Sequence, residues 1–316
     1  MNQTKKLYYA YSDYLKKKYG EKVYKLPVNL PVTCPNRLGE NTGCIFCAEC
    51  GTGFEAMEEA VPVKKQLLAT RALVEKKYHA HKFIAYFQNY TNTFLPLEDF
   101  KGYICEALDV PDIVEIDVST RPDCIRESYL EALKCAAKAH NVNITIELGL
   151  QTVNYRTLAK IGRGHSLAEF IDAVLMIKEY GFSICAHVIL NLPWDDRMDA
   201  VETAKFLSAL GIHTVKIHSL YIAKNTRLCD FYENGTIAVC PKEEYIGRLI
   251  DFLEYLSPDI AVERLFSRVP EKDAVFSNWG TSWWKLRDET LDKMAQGGYF
   301  QGKKFHYLGG TALEKL

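Results

Sequence analysis

Residues 34–50 read CPNRLGENTGCIFCAEC, and three of the cysteines, Cys34, Cys44 and Cys47, stand at C-x9-C-x2-C spacing. Phe46 directly precedes the third, and Cys50 follows it at a second C-x2-C interval. Soft thiolates gathered on one loop suit zinc or an iron-sulfur cluster. Four thiolates would close a tetrahedral zinc site or fully ligate a cluster. Three would leave one iron of a 4Fe-4S cube open to a small molecule.

The chain leading into this loop, residues 23–30 (VYKLPVNL), is a short extended run punctuated by Pro27 and closed by Pro31. After the loop, β-branched runs at residues 82–88, 113–120, 143–151, 183–192 and 213–223 alternate with helical patterns at 62–78, 96–108, 126–139, 167–180 and 199–210. The strands recur at roughly the length of one βαβ unit, about 30 residues. Near-continuous apolar strands in that rhythm predict an α/β fold with a parallel sheet covered by helices. No G-x-G-x-x-G turn marks a dinucleotide fold, so an incomplete (β/α)6 barrel is expected. Gly181 and Gly211 stand where helix stops are needed.

In barrels the chemistry collects at the carboxyl ends of the strands. There the sequence places Cys34 and its loop, Gln88 and Asn89, Ser119 with Thr120 and Arg121, Gln151 with Thr152, and His187. Such a rim suits a pocket for a polar, charged small molecule beside a metal.

With 48% hydrophobic and 25% charged residues in 316, the chain is long enough for one large α/β domain and an appendage. A formal net charge of −1 gives no global attraction to nucleic acid. The start MNQTKKLYYAYSDYLKKKYG has no apolar targeting core, and no run approaches a membrane span. A cytoplasmic location without membrane contact is expected. In a reducing compartment, grouped cysteines suggest metal, while Cys105, Cys135 and Cys185, set in apolar patterns, are expected as small core residues.

Residues 4–20 carry helical spacing in which tyrosines alternate with Lys5, Lys6, Lys16, Lys17 and Lys18. The helix is read either as a solvated face packed over the barrel end or as a phosphate-facing patch. Beyond residue 235 the βα rhythm stops. A helix over 242–256, an extended run at 260–265 and a tryptophan-rich loop follow. Trp279, Trp283 and Trp284 are expected mainly as core, with a base-stacking platform as the other reading. The organisation is then residues 1–20 as a basic N-terminal helix, 21–235 as the partial barrel and 236–316 as a C-terminal α/β extension covering it.

The cysteine spacing with Phe46, the run ELGLQT (147–152), IGRGHS (161–166) and HVILNLP (187–193) together resemble the radical S-adenosylmethionine (SAM) enzymes. CPNR, STRPDC, RGH and KIH point to a bacterial family related to the Elongator catalytic subunit, and the resemblance covers roughly residues 20–270. It implies a partial TIM-type barrel in which Cys34, Cys44 and Cys47 bind a 4Fe-4S cluster. The fourth iron then takes the amino and carboxylate groups of S-adenosyl-L-methionine, which is cleaved to a 5'-deoxyadenosyl radical. Matched by position, Phe46 would lie near the adenine and Gln88 and Asn89 near the methionine amino group. Ser119 and Gln151 would be polar contacts, Arg163 a contact to the carboxylate or ribose, and His187 a contact to the ribose. Glu147 points into the barrel or at a neighbouring lysine.

Where relatives read HVILGLPGE, this chain has Asn191 and Trp194 (HVILNLPWDD), so the loop after the fifth strand must be shaped differently. The resemblance further implies a wobble-uridine side chain of transfer RNA as substrate and an electron donor such as flavodoxin or ferredoxin. Two other readings stay open: a radical enzyme acting on a small metabolite or cofactor precursor, and a non-enzymatic zinc-binding interaction module.

Overall fold

The computed structural model describes residues 6–39, 43–48 and 56–315. Cys50, weighed above as a fourth thiolate, lies outside them. In chain order the elements are α1 (Tyr11–Tyr19), β1 (Val23–Val28), α2 (Val63–Tyr78), β2 (Lys82–Phe87), α3 (Leu97–Leu108), β3 (Ile113–Thr120), α4 (Glu127–His140), β4 (Asn143–Gln151), α5 (Tyr155–Lys160), α6 (Leu167–Glu179) and β5 (Ser183–Ile189). There follow α7 (Arg197–Ala209), β6 (Thr214–His218), β7 (Ile222–Ala223), α8 (Arg227–Glu233), α9 (Lys242–Tyr255), β8 (Ala261–Arg264), β9 (Ala274–Phe276) and α10 (Trp283–Gly297). Seven strands make one parallel sheet in the order β1-β2-β3-β4-β5-β6-β8, the half-barrel that the βα rhythm predicts. The chain divides into two compact units, Ser12–Gly149 with Gly162–Cys185, and Met1–Tyr11 with Leu150–Ile161 and Ala186–Leu316.

In the first unit, β2, β3 and β4 are buried along most of their length, which is why they read as unbroken apolar runs instead of an alternating pattern. Pro27 is tolerated within β1 because that strand ends the sheet and needs no donor on its outer side. The helix stops fall where expected: Gly181 takes φ +72° just after α6. Asn141 plays the same left-handed part after α4.

Two of the expected core cysteines are not core. Cys185 is fully buried in β5, but Cys105 and Cys135 are exposed, on α3 and α4. The inward stripe of α3 is Phe100, Ile104 and Ala107, and that of α4 is Tyr129, Leu130 and Leu133. One residue beyond Ile104, and two beyond Leu133, the helix has already turned outward.

In the second unit the extended run at 260–265 supplies β8, which pairs in parallel with β6 from Thr214↔Ala261 onward. With α9 before it, the βα rhythm continues past residue 235. Residues preceding α1 belong to this edge: Tyr9 accepts from Val262 N at 2.8 Å and donates its own N–H to Gln301 Oε1 at 2.9 Å. That pairing holds the chain extended, so the helix expected over 4–20 begins only at Tyr11. Trp279 packs on Tyr245 and Phe276 and donates to Cys240 O, as a core residue would. Trp284 does not: it is 47% exposed, and the Arg268 guanidinium lies 4.0 Å from the half-buried Trp283 ring. No helix among the described residues is long and apolar enough to cross a membrane.

Candidate cluster and cofactor site

The cysteine loop is stapled from within. After Cys34 the backbone makes one tight turn, with Arg37 N donating to Cys34 O at 2.8 Å, and Cys47 N donates to Cys44 O at 3.0 Å. Arg37 then reaches across, its Nη2 donating to Cys47 O at 3.0 Å and Ala48 O at 2.9 Å. Its guanidinium also lies 5.4 Å from the Tyr90 ring. Arg37 therefore ties the start of the loop to its end.

Three further donors approach the sulfurs themselves. Asn36 Nδ2 donates to Gly162 O at 2.7 Å and lies 3.5 Å from Cys44 Sγ. Arg163 Nη1 is 3.7 Å from Cys44 Sγ, while Nε and Nη2 are anchored on Gly149 O at 3.3 and 2.9 Å. Arg121 Nη1 is 3.9 Å from Cys34 Sγ, with Nε and Nη2 held by the Asp123 carboxylate at 2.8 and 2.7 Å. Gly164, at φ +78°, makes this approach possible. A Cβ there would stand 2.8 Å from Asn36 Oδ1 and 3.1 Å from Arg121 Nη2. The Glu169 carboxylate accepts from Ser166 N at 2.6 Å, fixing the entry to α6 directly after this segment.

Burial first, and then the neighbouring Cys44 thiol, push the Cys47 thiol up to about 11. Three closely set sulfurs, faced by fixed N–H donors and two guanidinium groups, fit a metal group that replaces their protons. Donors aimed at ligand sulfur suit an anionic iron-sulfur cluster. Phe46, half-buried, sits between the second and third cysteines.

Past β2, Gln88 donates its backbone N–H to Val28 O. Asn89 is 3% exposed and donates to Asn29 Oδ1 at 2.6 Å, and its own Oδ1 has no hydrogen-bond partner among the described residues. An orphaned buried acceptor at that place fits an incoming ammonium or N–H. Sequence reasoning missed Asn92, whose Nδ2 donates to Phe87 O, Asn89 O and Ser119 O at 2.9, 3.2 and 2.8 Å. It joins the ends of β2 and β3. The roles of Asn36, Arg37 and Arg121 were missed as well, although CPNR and STRPDC had singled out the segments carrying them.

Ser119 Oγ donates at 3.3 Å toward Tyr86 OH and Glu147 Oε2, so it faces a buried polar ladder. In that ladder Lys25 Nζ lies 2.5 Å from Glu147 Oε1 and 2.8 Å from Asp117 Oδ2. Lower on β3, Glu115 is met by Lys18 Nζ at 2.9 Å and by the Tyr19 and Thr145 hydroxyls. Burial, reinforced by Glu115 and Glu147 and opposed by Lys25, pushes Asp117 well above the usual carboxylate range. Burial acts on Glu115 in the same direction, but Lys18 and the hydroxyls outweigh it and hold that carboxyl low. Lys18, read as one of the phosphate-facing lysines, is thus turned inward. Lys16 and Lys17 are exposed.

Gln151 and His187 belong to the other unit. Gln151 ends β4 in the left-handed region at φ +73°. The His187 ring lies 5.3 Å from that of His218, which is within 2.6 Å of Arg264 Nη2. The two departures on the loop after β5 are absorbed locally. Asn191 Oδ1 accepts from Leu220 N at 2.7 Å, and Trp194 lies under the Lys160 ammonium at 5.4 Å. Asp195 beside them is 7% exposed, and its Oδ1 has no partner among the described residues. Burial raises its carboxyl to about 6, against the Thr157 and Thr152 hydroxyls.

Residues 28–207 match the sequence profile described as the Radical SAM superfamily, and residues 212–296 match the Radical_SAM C-terminal domain. The chain is 33% identical over 302 residues to the Uncharacterized protein MJ0486 of Methanocaldococcus jannaschii, covering 95% of this chain and 92% of that one. A tRNA uridine(34) acetyltransferase of the same organism is 26% identical over 149 residues, 46% of this chain and 26% of that protein. Among solved structures, the archaeal Methanocaldococcus infernus Elp3 with an N-terminal deletion matches at TM-score 0.67 and 18% identity. That alignment covers 88% of this chain and 64% of that one, and the likeness is one of fold.

Proposed function

This chain belongs to the radical SAM superfamily, and from that premise we propose that it modifies the side chain of a wobble uridine in transfer RNA. The family uses a 4Fe-4S cluster and S-adenosylmethionine. When bound, the pair supplies reductive cleavage of a sulfonium and abstraction of a hydrogen atom from substrate.

In our reading Cys34, Cys44 and Cys47 hold the cluster. Asn36, Arg121 and Arg163 hold the sulfurs in place, and Arg37 keeps the loop closed. The orphaned Oδ1 of Asn89 accepts a hydrogen bond from the methionine amino group, with Gln88 beside it, and Phe46 flanks the adenine. Ser119, Gln151, Arg163 and His187 are the remaining proposed contacts to the cofactor. Burial of Arg121 and Arg163 limits water at the sulfurs, which a radical reaction requires. A one-electron donor such as flavodoxin or ferredoxin is the proposed redox partner.

The observation that carries the substrate is the likeness to a protein named for acting on uridine 34 of tRNA. Two surface features support it: the exposed Lys16 and Lys17 on α1, and the exposed Trp284 with the Lys285 ammonium 5.4 Å from its ring. The test compares nucleosides of bulk tRNA, by mass spectrometry, between a strain with the gene and one without. A modified uridine that disappears with the gene and returns with wild-type protein, but not with Cys44→Ala, is the expected result. An unchanged nucleoside profile would overturn the tRNA reading. It would favour a small-molecule substrate, which the net charge of −1 already suits.

A further inference from the structure

We propose that Arg121 and Arg163 are positioning residues that set the reduction potential of the cluster by placing fixed positive charge against two of its three sulfur ligands. The inference rests on Cys34, Cys44 and Cys47 being those ligands.

Each guanidinium is costly to bury and is therefore held by a dedicated acceptor. Arg121, 3% exposed, is gripped in a two-point fork by Asp123, and its free Nη1 is turned to Cys34 Sγ at 3.9 Å. Arg163, 8% exposed, is anchored on the Gly149 carbonyl and turns Nη1 to Cys44 Sγ at 3.7 Å. A simple loop clamp needs no such aim, as Arg37 shows: it grips backbone carbonyls of the same loop and makes its other contact with Tyr90. Arg121 and Arg163 come from different segments, following β3 and preceding α6, yet Gly164 keeps Asn36 and Arg121 within reach of each other. Among the described residues, Asp123 is the carboxylate paired with these two guanidinium groups, so the pair of arginines brings more positive than negative charge to the sulfurs.

Reduction adds one electron and leaves the cluster with one more negative charge. A buried cation at the sulfurs favours that state and raises the potential, whereas a nearby carboxylate lowers it. The charge pair Arg121–Asp123 therefore has two ends with opposite predicted effects. A purely structural role would not give opposite signs.

The test is a redox titration of the anaerobically reconstituted full-length protein, followed by electron paramagnetic resonance, with iron and sulfide counted for each sample. Arg121→Gln is expected to lower the midpoint so that the reduced fraction at fixed potential falls on the order of tenfold, about 59 mV for a one-electron couple. Arg121→Lys keeps the midpoint near wild type, and Asp123→Asn raises it. Midpoints of Arg121→Gln and Asp123→Asn that stay at the wild-type value, or move in the same direction, with the cluster fully loaded, would overturn the inference. If Arg121→Gln fails to load, Asp123→Asn decides alone: its side chain is 22% exposed and tolerates the change more readily. A wild type that takes up no iron and sulfide removes the ligand assignment and the inference with it, whereas a loaded wild type with unmoved variants removes the inference alone.

Discussion

Lys25 reaches from β1 to place its ammonium 2.5 Å from Glu147 Oε1 on β4, within the buried polar ladder of the sheet. The same ammonium lies 2.8 Å from Asp117 Oδ2. Both carboxylates have fully buried side chains, and the lysine side chain is 16% exposed. One cation thus serves two acids. Removing it leaves charge uncompensated in a low-dielectric interior, a change that typically costs about 3–5 kcal/mol. Lys25→Met should lower the urea midpoint by an amount in that range with an unchanged m-value. A loss under about 1 kcal/mol would mean that the two acids are held neutral without it.

Gly164 and Gly181 both lie at positive φ, +78° and +72°, so alanine strains either backbone by roughly 1–2 kcal/mol. They differ in surroundings. A Cβ at Gly181 meets nothing within 4 Å, while one at Gly164 runs into Asn36 and Arg121. Both variants should lose similar thermal stability, but only Gly164→Ala should lose iron after reconstitution and gel filtration. Equal iron retention would show that the approach of Asn36 and Arg121 to the sulfurs is dispensable.

Asp195 gives a pH dependence of defined sign. Its carboxyl is raised in the fold from 3.8 to about 6, so the folded chain binds a proton more tightly than the unfolded one. Its favourable contribution is full below pH 4 and is lost as pH rises through 6. At pH 7 the ionised, poorly partnered carboxylate opposes folding by up to roughly 3 kcal/mol. Asp195→Asn should therefore raise the melting temperature relative to wild type at pH 7.5 and much less at pH 5. A benefit that is equal at both pH values would rule out this titration as its source.

The exposed thiols of Cys105 and Cys135 should react with a maleimide in native protein, while Cys185, fully buried, should react only after denaturation. Mass spectrometry of the labelled peptides reads this directly. Protection of Cys105 and Cys135 would restore their reading as core.

The strands of the half-barrel were legible because a parallel strand covered on both faces is apolar throughout: β2, β3 and β4 begin at the residues their composition marks. The cysteine loop was legible because its chemistry is local. What escaped was settled by partners distant in sequence. Tyr9 accepts from Val262 and donates to Gln301 instead of joining a helix, and no local pattern records that. Lys18 looks like one of three surface lysines until Glu115, 97 residues away, claims it. Cys105 misled because an apolar neighbourhood in sequence, beside Ile104, does not fix which side of a helix a residue occupies. The aim of Arg121 at Cys34 depends on Asp123 and on a missing Cβ at Gly164, so the segment could be singled out while its task could not.

Three thiolates, Cys34, Cys44 and Cys47, are proposed to support reductive cleavage of S-adenosylmethionine. Anaerobic reconstitution with iron and sulfide, addition of dithionite and S-adenosylmethionine, and quantification of 5'-deoxyadenosine by mass test it most directly. Wild type and Cys50→Ala should form 5'-deoxyadenosine, and Cys34→Ala, Cys44→Ala and Cys47→Ala should not. Failure of the wild type to form a cluster, or an equal loss of product in Cys50→Ala, would contradict the three-thiolate account and return the loop to a four-ligand site.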